Sequence, residues 1–173
     1  PVVLPLSADT FRIYYAARDD HNRSRISFFD FSPQTPSRIL YQHSSPILEP
    51  GQLGSFDDAG VTPTFVMRHK GEVYLYYTGW AVRESVPYQN SIGLAVSKDG
   101  LSFIRKPEGP IISTGPFDPF SVGTLWISRR QDGSFLGFYL SYNGWRVLND
   151  KPEPFYDIKL ATSDDGLRWK RDG

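Results

Sequence analysis

The chain repeats itself three times. When FRIYYAARD (from Phe11), VYLYYTGW (from Val73) and FLGFYLSYNGW (from Phe135) are aligned, Tyr15, Tyr77 and Tyr139 fall at one constant interval. A second anchor lies downstream in RISFFD, SIGLAVSKDG and DIKLATSDDG, where Ile26, Ile92 and Ile158 are again evenly spaced, at a slightly longer interval. Pro46 and Pro110 follow nearly the same spacing, and Phe56-Asp57 is echoed one period later by Phe117-Asp118. A fixed period of this length means one supersecondary unit copied along the chain, each copy burying its apolar faces against its neighbours.

Each unit is made of short runs rich in Val, Ile, Tyr, Phe and Thr, separated by Gly, Pro, Asp and Ser, which is strand composition. The second unit supplies GVTPTFVMR, EVYLYYTG, SIGLAVS and LSFIRK; the third supplies FSVGTLWISRR, SFLGFYLSY, DIKLATS and LRWKRDG. The first supplies PVVLPL, FRIYYAA, RISFFDF and SRILYQ, and no segment reads as helix. The first run joins the second through HKGE or RQDGS, and the third joins the fourth through KDG or DDG, all hairpin signals. The expected fold is therefore all-β: a β-propeller of four-stranded antiparallel blades, with units at about 1–50, 56–112 and 117–173. Three blades do not close a ring, since propellers typically have about four to eight. The chain reads as three consecutive blades, and its two open faces predict further blades or self-association.

Composition narrows the partners. Net charge is zero, from 19 basic and 19 acidic residues, so there is no electrostatic footprint for nucleic acid and no polybasic segment for a membrane. Cysteine is absent, which excludes disulfides and thiolate metal sites and leaves the compartment undetermined. His21, His43 and His69 are scattered, so no metal site is expected.

A meander sorts its loops by face. The second-to-third-strand loops and the connections between units emerge at one end, and the remaining hairpins at the other. The first end collects RDDHNRS (18–24), GQLGSFDDAGV (51–61), TGWAVRESVPYQN (78–90), GPFDPFSVG (115–123) and NGWRVLNDKPEPFYD (143–157); the other receives only HKGE, SKDG, RQDGS and SDDG. Long loops on a rigid scaffold are where binding and chemistry concentrate. Asp57, Asp58 and Asp118 precede the innermost strands, and Trp80 and Trp145 occupy matching loop positions. Arg83, Tyr88, Asn90 and Arg146 fill out the same loops. Indoles that stack on sugar rings, with polar groups that read hydroxyls, point to an oligosaccharide or polysaccharide. The alternative for FDDAG and PFDPF is a turn in which Asp caps backbone amides.

In the order FRIYYAARD, RSRISFFD, GSFDDAGVTP, YLYYTGW, PYQNSIGLAVSKDG, GPFDPF and SDDGLRWKRDG, the chain resembles the five-bladed β-propeller glycosidase-like proteins related to glycoside hydrolase families 32, 43, 68 and 130. The resemblance implies five blades, an active site at the channel mouth and carboxylates at the starts of successive inner strands. It puts Asp58 first as catalytic carboxylate, Asp118 second and Asp57 as fallback, in a glycoside hydrolase without an organic cofactor. Two alternatives stay open: a glycoside phosphorylase, with Arg83 or Arg146 on phosphate, and a non-catalytic carbohydrate-binding propeller. The turns Ser97–Gly100 and Ser163–Gly166 resemble the structural Asp-box hairpins of sialidase propellers.

Overall fold

A computed structural model describes residues 1–172. The first unit comprises β1 (Val2–Pro5), β2 (Phe11–Arg18), β3 (Ser24–Phe31) and β4 (Ile39–Gln42), each antiparallel to the next. The second repeats this with β5 (Gly60–His69), β6 (Glu72–Val82), β7 (Tyr88–Ser97) and β8 (Ile104–Arg105). The third holds β9 (Val122–Arg129), β10 (Phe135–Leu148) and β11 (Lys151–Ser163). Its fourth run is not a strand among the described residues: Leu167 to Asp172 contribute an isolated pair, Thr162 with Lys170. No helix occurs among the described residues. The first two units join into one sheet through a single parallel pair, Ser24 with Gly60, and the third forms its own sheet.

One predicted loop is a hairpin. Residues 143–157 extend β10 and β11 out to Leu148 and Lys151, and Asn149 and Asp150 close the turn at φ of 50° and 59°. Two successive left-handed residues match the right-handed twist of the flanking strands, and Asn and Asp tolerate that conformation best after Gly. A bulge between Tyr142 and Gly144 breaks the register, which hides the strand alternation in the sequence.

The core consists of two interfaces between units. Side chains alternate across a strand, so Val73, Leu75 and Tyr77 of β6 pack against Tyr14, Ile26 and Phe28 of the first unit. Tyr74 and Tyr76 point the other way, into a cluster with Leu125, Phe135 and Tyr139 of the third unit. This two-sided burial explains why VYLYY carries no polar position. Hydroxyls fasten the same interfaces: Tyr14 Oη donates to the Gly100 carbonyl and Tyr76 Oη to the Gly166 carbonyl, both at 2.9 Å. Those carbonyls belong to the Ser-x-Asp-Gly turns, in which Asp99 Oδ1 accepts the N–H groups of Ser102 and Leu101 at 3.0 and 2.8 Å. These bonds hold the Asp99 carboxyl at about 2.

Ile26 and Ile92 are fully buried beneath returning segments, with the Ile47 and Ile111 N–H groups bonded at 2.8 Å to the Ile26 and Ile92 carbonyls. Their repeat partner Ile158 is 70% exposed, beside exposed Leu160 and Trp126. The outer face of the third unit is thus an apolar sheet surface.

Candidate functional site

The long-loop end holds a cavity of about 1220 Å³ between the first two units, reaching Thr124 of the third. Its wall is set by the FDDAG turn before β5. Here the Asp58 N–H reaches the Ser55 carbonyl, Gly60 N–H the Asp57 carbonyl and Ala59 N–H the Trp80 carbonyl. Asp58 is half-buried on this wall, and its Oδ2 accepts the Gly54 N–H at 2.9 Å. Trp80 leaves the same wall, fixed by a 3.0 Å bond from Nε1 to Ser24 Oγ across the parallel junction. Gly60 is required there: at φ 155°, a Cβ would lie 2.3 Å from Ser24 Oγ and 2.4 Å from Trp80 Nε1.

Of the residues expected from the sequence, Asp58, Trp80, Tyr88 and Asn90 line this cavity. Trp145 does not: its ring meets Tyr88 edge-on at 5.2 Å and Tyr142 at 6.1 Å. Trp80 and Trp145 are therefore not counterparts. The partner of Trp80 in the next unit is Tyr142, which also bonds back to the preceding unit but in the opposite direction: its Oη accepts from Asn90 Nδ2 at 3.3 Å, whereas Trp80 donates to Ser24. Arg83 is exposed outside the cavity wall, and Arg146 is exposed with its guanidinium 4.4 Å over the Phe155 ring.

Asp57 and Asp118 lie outside the cavity wall and are 1% and 0% exposed. Asp57 Oδ2 accepts from Tyr77 Oη at 3.1 Å and Arg105 Nε at 2.9 Å, and its Oδ1 accepts from Ser55 Oγ. Asp118 accepts from Tyr139 Oη at 3.1 and 3.2 Å and from Arg171 Nη1 at 2.6 Å, with Lys159 Nζ 3.6 Å away. Each arginine also donates to a backbone carbonyl, Arg105 to Glu49 and Arg171 to Ser113. The Asp-Tyr-Arg triads tie the inter-unit connection, the second strand and the fourth run of one unit together. Burial, and then the neighbouring Asp118, raise the Tyr139 phenol to about 12.

The sequence placed the β2–β3 loop at this end but singled out none of its residues; Arg18, His21 and Arg23 line the cavity, as do the threonines Thr62, Thr64 and Thr78, which the sequence did not single out either. Asp19 within this loop accepts from Arg23 Nε at 3.1 Å and Arg25 Nη2 at 2.7 Å. Desolvation pushes its carboxyl up, but hydrogen bonds from Arg23 and His21 outweigh that and hold it at about 2.

No protein-family model matches the chain. It is 36% identical over 171 residues to an uncharacterized protein of Mycobacterium tuberculosis, covering 99% of this chain and 56% of that protein. It is 30% identical over 138 residues to a 1,2-beta-oligomannan phosphorylase of Thermoanaerobacter sp., covering 74% of this chain and 42% of the enzyme. Among solved structures, a thermostable family-43 glycoside hydrolase superposes with a TM-score of 0.64 at 22% identity, over 99% of this chain and 56% of that one. The chain is a relative of the glycosidase-like β-propeller proteins. It spans about half the length of the curated relatives it matches.

Proposed function

We propose that the protein is a carbohydrate-active enzyme that cleaves a glycosidic bond in an oligosaccharide or polysaccharide, within a five-bladed propeller of which this chain supplies three blades. The observation that carries the reading is Asp58 and Trp80 on one wall of a large polar-rimmed cavity, at the end of the fold where the long loops gather. Trp80 gives a sugar ring an apolar platform, Tyr88 and Asn90 read its hydroxyls, and Asp58 moves the proton at the glycosidic oxygen. Asp57 and Asp118 take a structural role in this reading, since both are occupied by a half-buried Arg and a buried Tyr donor. The apolar face bearing Trp126 and Ile158 is covered in the working protein by further blades or a second copy; a stable, monodisperse monomer in sedimentation would contradict this.

Hydrolysis needs two carboxyl groups about 5 to 9.5 Å apart. Asp58 is the one carboxylate lining the cavity among the described residues, which favours phosphorolysis as the second reading, because phosphate replaces the base-activated water. Saccharide binding tests the site. In ligand-observed NMR with a panel of manno-, gluco- and fructo-oligosaccharides, Trp80→Ala is expected to weaken binding roughly 3- to 10-fold. Arg83→Ala, outside the cavity, should leave it unchanged. Equal losses from both, with the fold intact, would move the site away from this cavity.

A further inference from the structure

The cavity is electrostatically lopsided in a chain of zero net charge. Arg18, His21 and Arg23 line it against one carboxylate, Asp58. Two nearby arginines are already balanced: Arg23 and Arg25 share Asp19, and Arg25 also meets Glu49 at 3.0 Å. Arg18 is not. No carboxylate approaches it within 4.0 Å among the described residues, and its side-chain hydrogen bond runs from Nη1 to the neutral Asn22 Oδ1 at 2.6 Å. Asn22 holds that position because it sits at φ 63° in a turn closed by Asp19 N–H to the Arg23 carbonyl and Asn22 N–H to the Asp19 carbonyl. A guanidinium anchored through one donor to a neutral amide keeps its remaining donors and its full charge for a ligand.

Its position says which ligand. The exposed Arg18 guanidinium lies over the Trp80 ring, its carbon 5.9 Å from the centroid at the outer limit of a cation–π contact, and Trp80 is itself pinned by Ser24. A sugar ring on Trp80 would therefore share that face with Arg18, which puts an anionic substituent of the sugar within reach of the guanidinium. We infer that the cavity takes a saccharide bearing an anionic group, a phosphate ester or a carboxylate, seated on Arg18 beside the Trp80 platform. This rests on the reading of the cavity as a carbohydrate site and names the substrate class it favours. Arg83 and Arg146, outside the cavity, have no part in it.

Calorimetric titration with glucose 6-phosphate, glucuronate, glucose and inorganic phosphate tests the inference. Both anionic sugars are expected to bind about tenfold tighter than glucose, as one charge-assisted contact implies. Arg18→Gln should erase that preference at an unchanged melting temperature, Arg18→Lys should keep part of it, and Arg83→Gln should match the parent protein. Equal affinity for glucose and its phosphate, or a preference that survives Arg18→Gln, would overturn the inference. So would inorganic phosphate binding as tightly as the sugar phosphate, because the anion would then be recognised free of the saccharide. Neutral oligosaccharides that bind and depend on Trp80 without any anion preference would sink this inference alone. Anions that bind with no contribution from a sugar would sink the carbohydrate reading with it.

Discussion

Asp118→Asn is expected to lower the melting temperature by roughly 6 to 20 °C. The carboxylate is wholly buried and accepts from Tyr139 and Arg171, with Lys159 nearby. An amide of the same shape keeps the packing but removes the charge that compensates Arg171. Breaking one side of a buried ion pair costs about 3 to 5 kcal/mol, and a chain of this size loses about 2 to 4 °C per kcal/mol. Asp57→Asn should behave alike through Arg105 and Tyr77. Asp58→Asn should barely move the melt, because that carboxylate is half-exposed and bonded to one backbone N–H. Thermal melts of the three variants decide the matter: an Asp118→Asn protein that melts like the parent yet loses a glycoside-cleaving activity would return Asp118 to the catalytic role the sequence suggested.

Alkaline pH is the second strong perturbation. Six of the ten tyrosines are buried: Tyr14, Tyr74, Tyr76, Tyr77, Tyr139 and Tyr142. Burial raises Tyr14 and Tyr139 to about 12 and pushes Tyr76, Tyr77 and Tyr142 higher still. In the unfolded chain a tyrosine ionises near its ordinary value of about 10. Between those limits the unfolded state sheds protons that the folded state retains, so stability present below about pH 10 is lost as pH rises. Tyr14 and Tyr139 alone should each remove roughly 2 to 3 kcal/mol by about pH 12, a large share of a total of about 5 to 15 kcal/mol. Phenolate absorbance followed together with near-ultraviolet circular dichroism should show the exposed tyrosines titrating first. The buried ones should then ionise in one cooperative step as tertiary structure disappears. A smooth titration of all ten near their ordinary value with the fold retained would contradict the interfaces described above.

The repeat made the fold legible and, in the proposed reading of the site, drew attention to residues that serve the scaffold. Tyr15, Tyr77, Ile26 and Ile92 announced the period, and strand composition announced the meanders. The hairpin at residues 143–157 was missed because a bulge interrupts alternation and a long polar, Pro-containing stretch imitates a loop. The site followed a different rule. A feature copied from unit to unit serves the scaffold: Phe117-Asp118 repeats Phe56-Asp57, and Arg171 repeats Arg105 at the spacing of Ile92 and Ile158, because both sets build the same clamp. Asp58 and Arg18 have no such echo, since Pro119 follows Asp118 where Asp58 follows Asp57, and both line the cavity. Pairing Trp80 with Trp145 failed for the same physical reason. The bulge in β10 displaces the later indole outward, and the hydrogen bond to the preceding unit falls to Tyr142.

Turnover tests whether Asp58 is the working carboxylate of a carbohydrate site. The protein should be assayed for release of reducing sugar or sugar phosphate from an oligosaccharide panel, with and without inorganic phosphate. Asp58→Asn is expected to cut the rate by about 10² to 10⁴ with an unchanged melting temperature. Turnover that survives Asp58→Asn intact in a well-folded protein would contradict the claim.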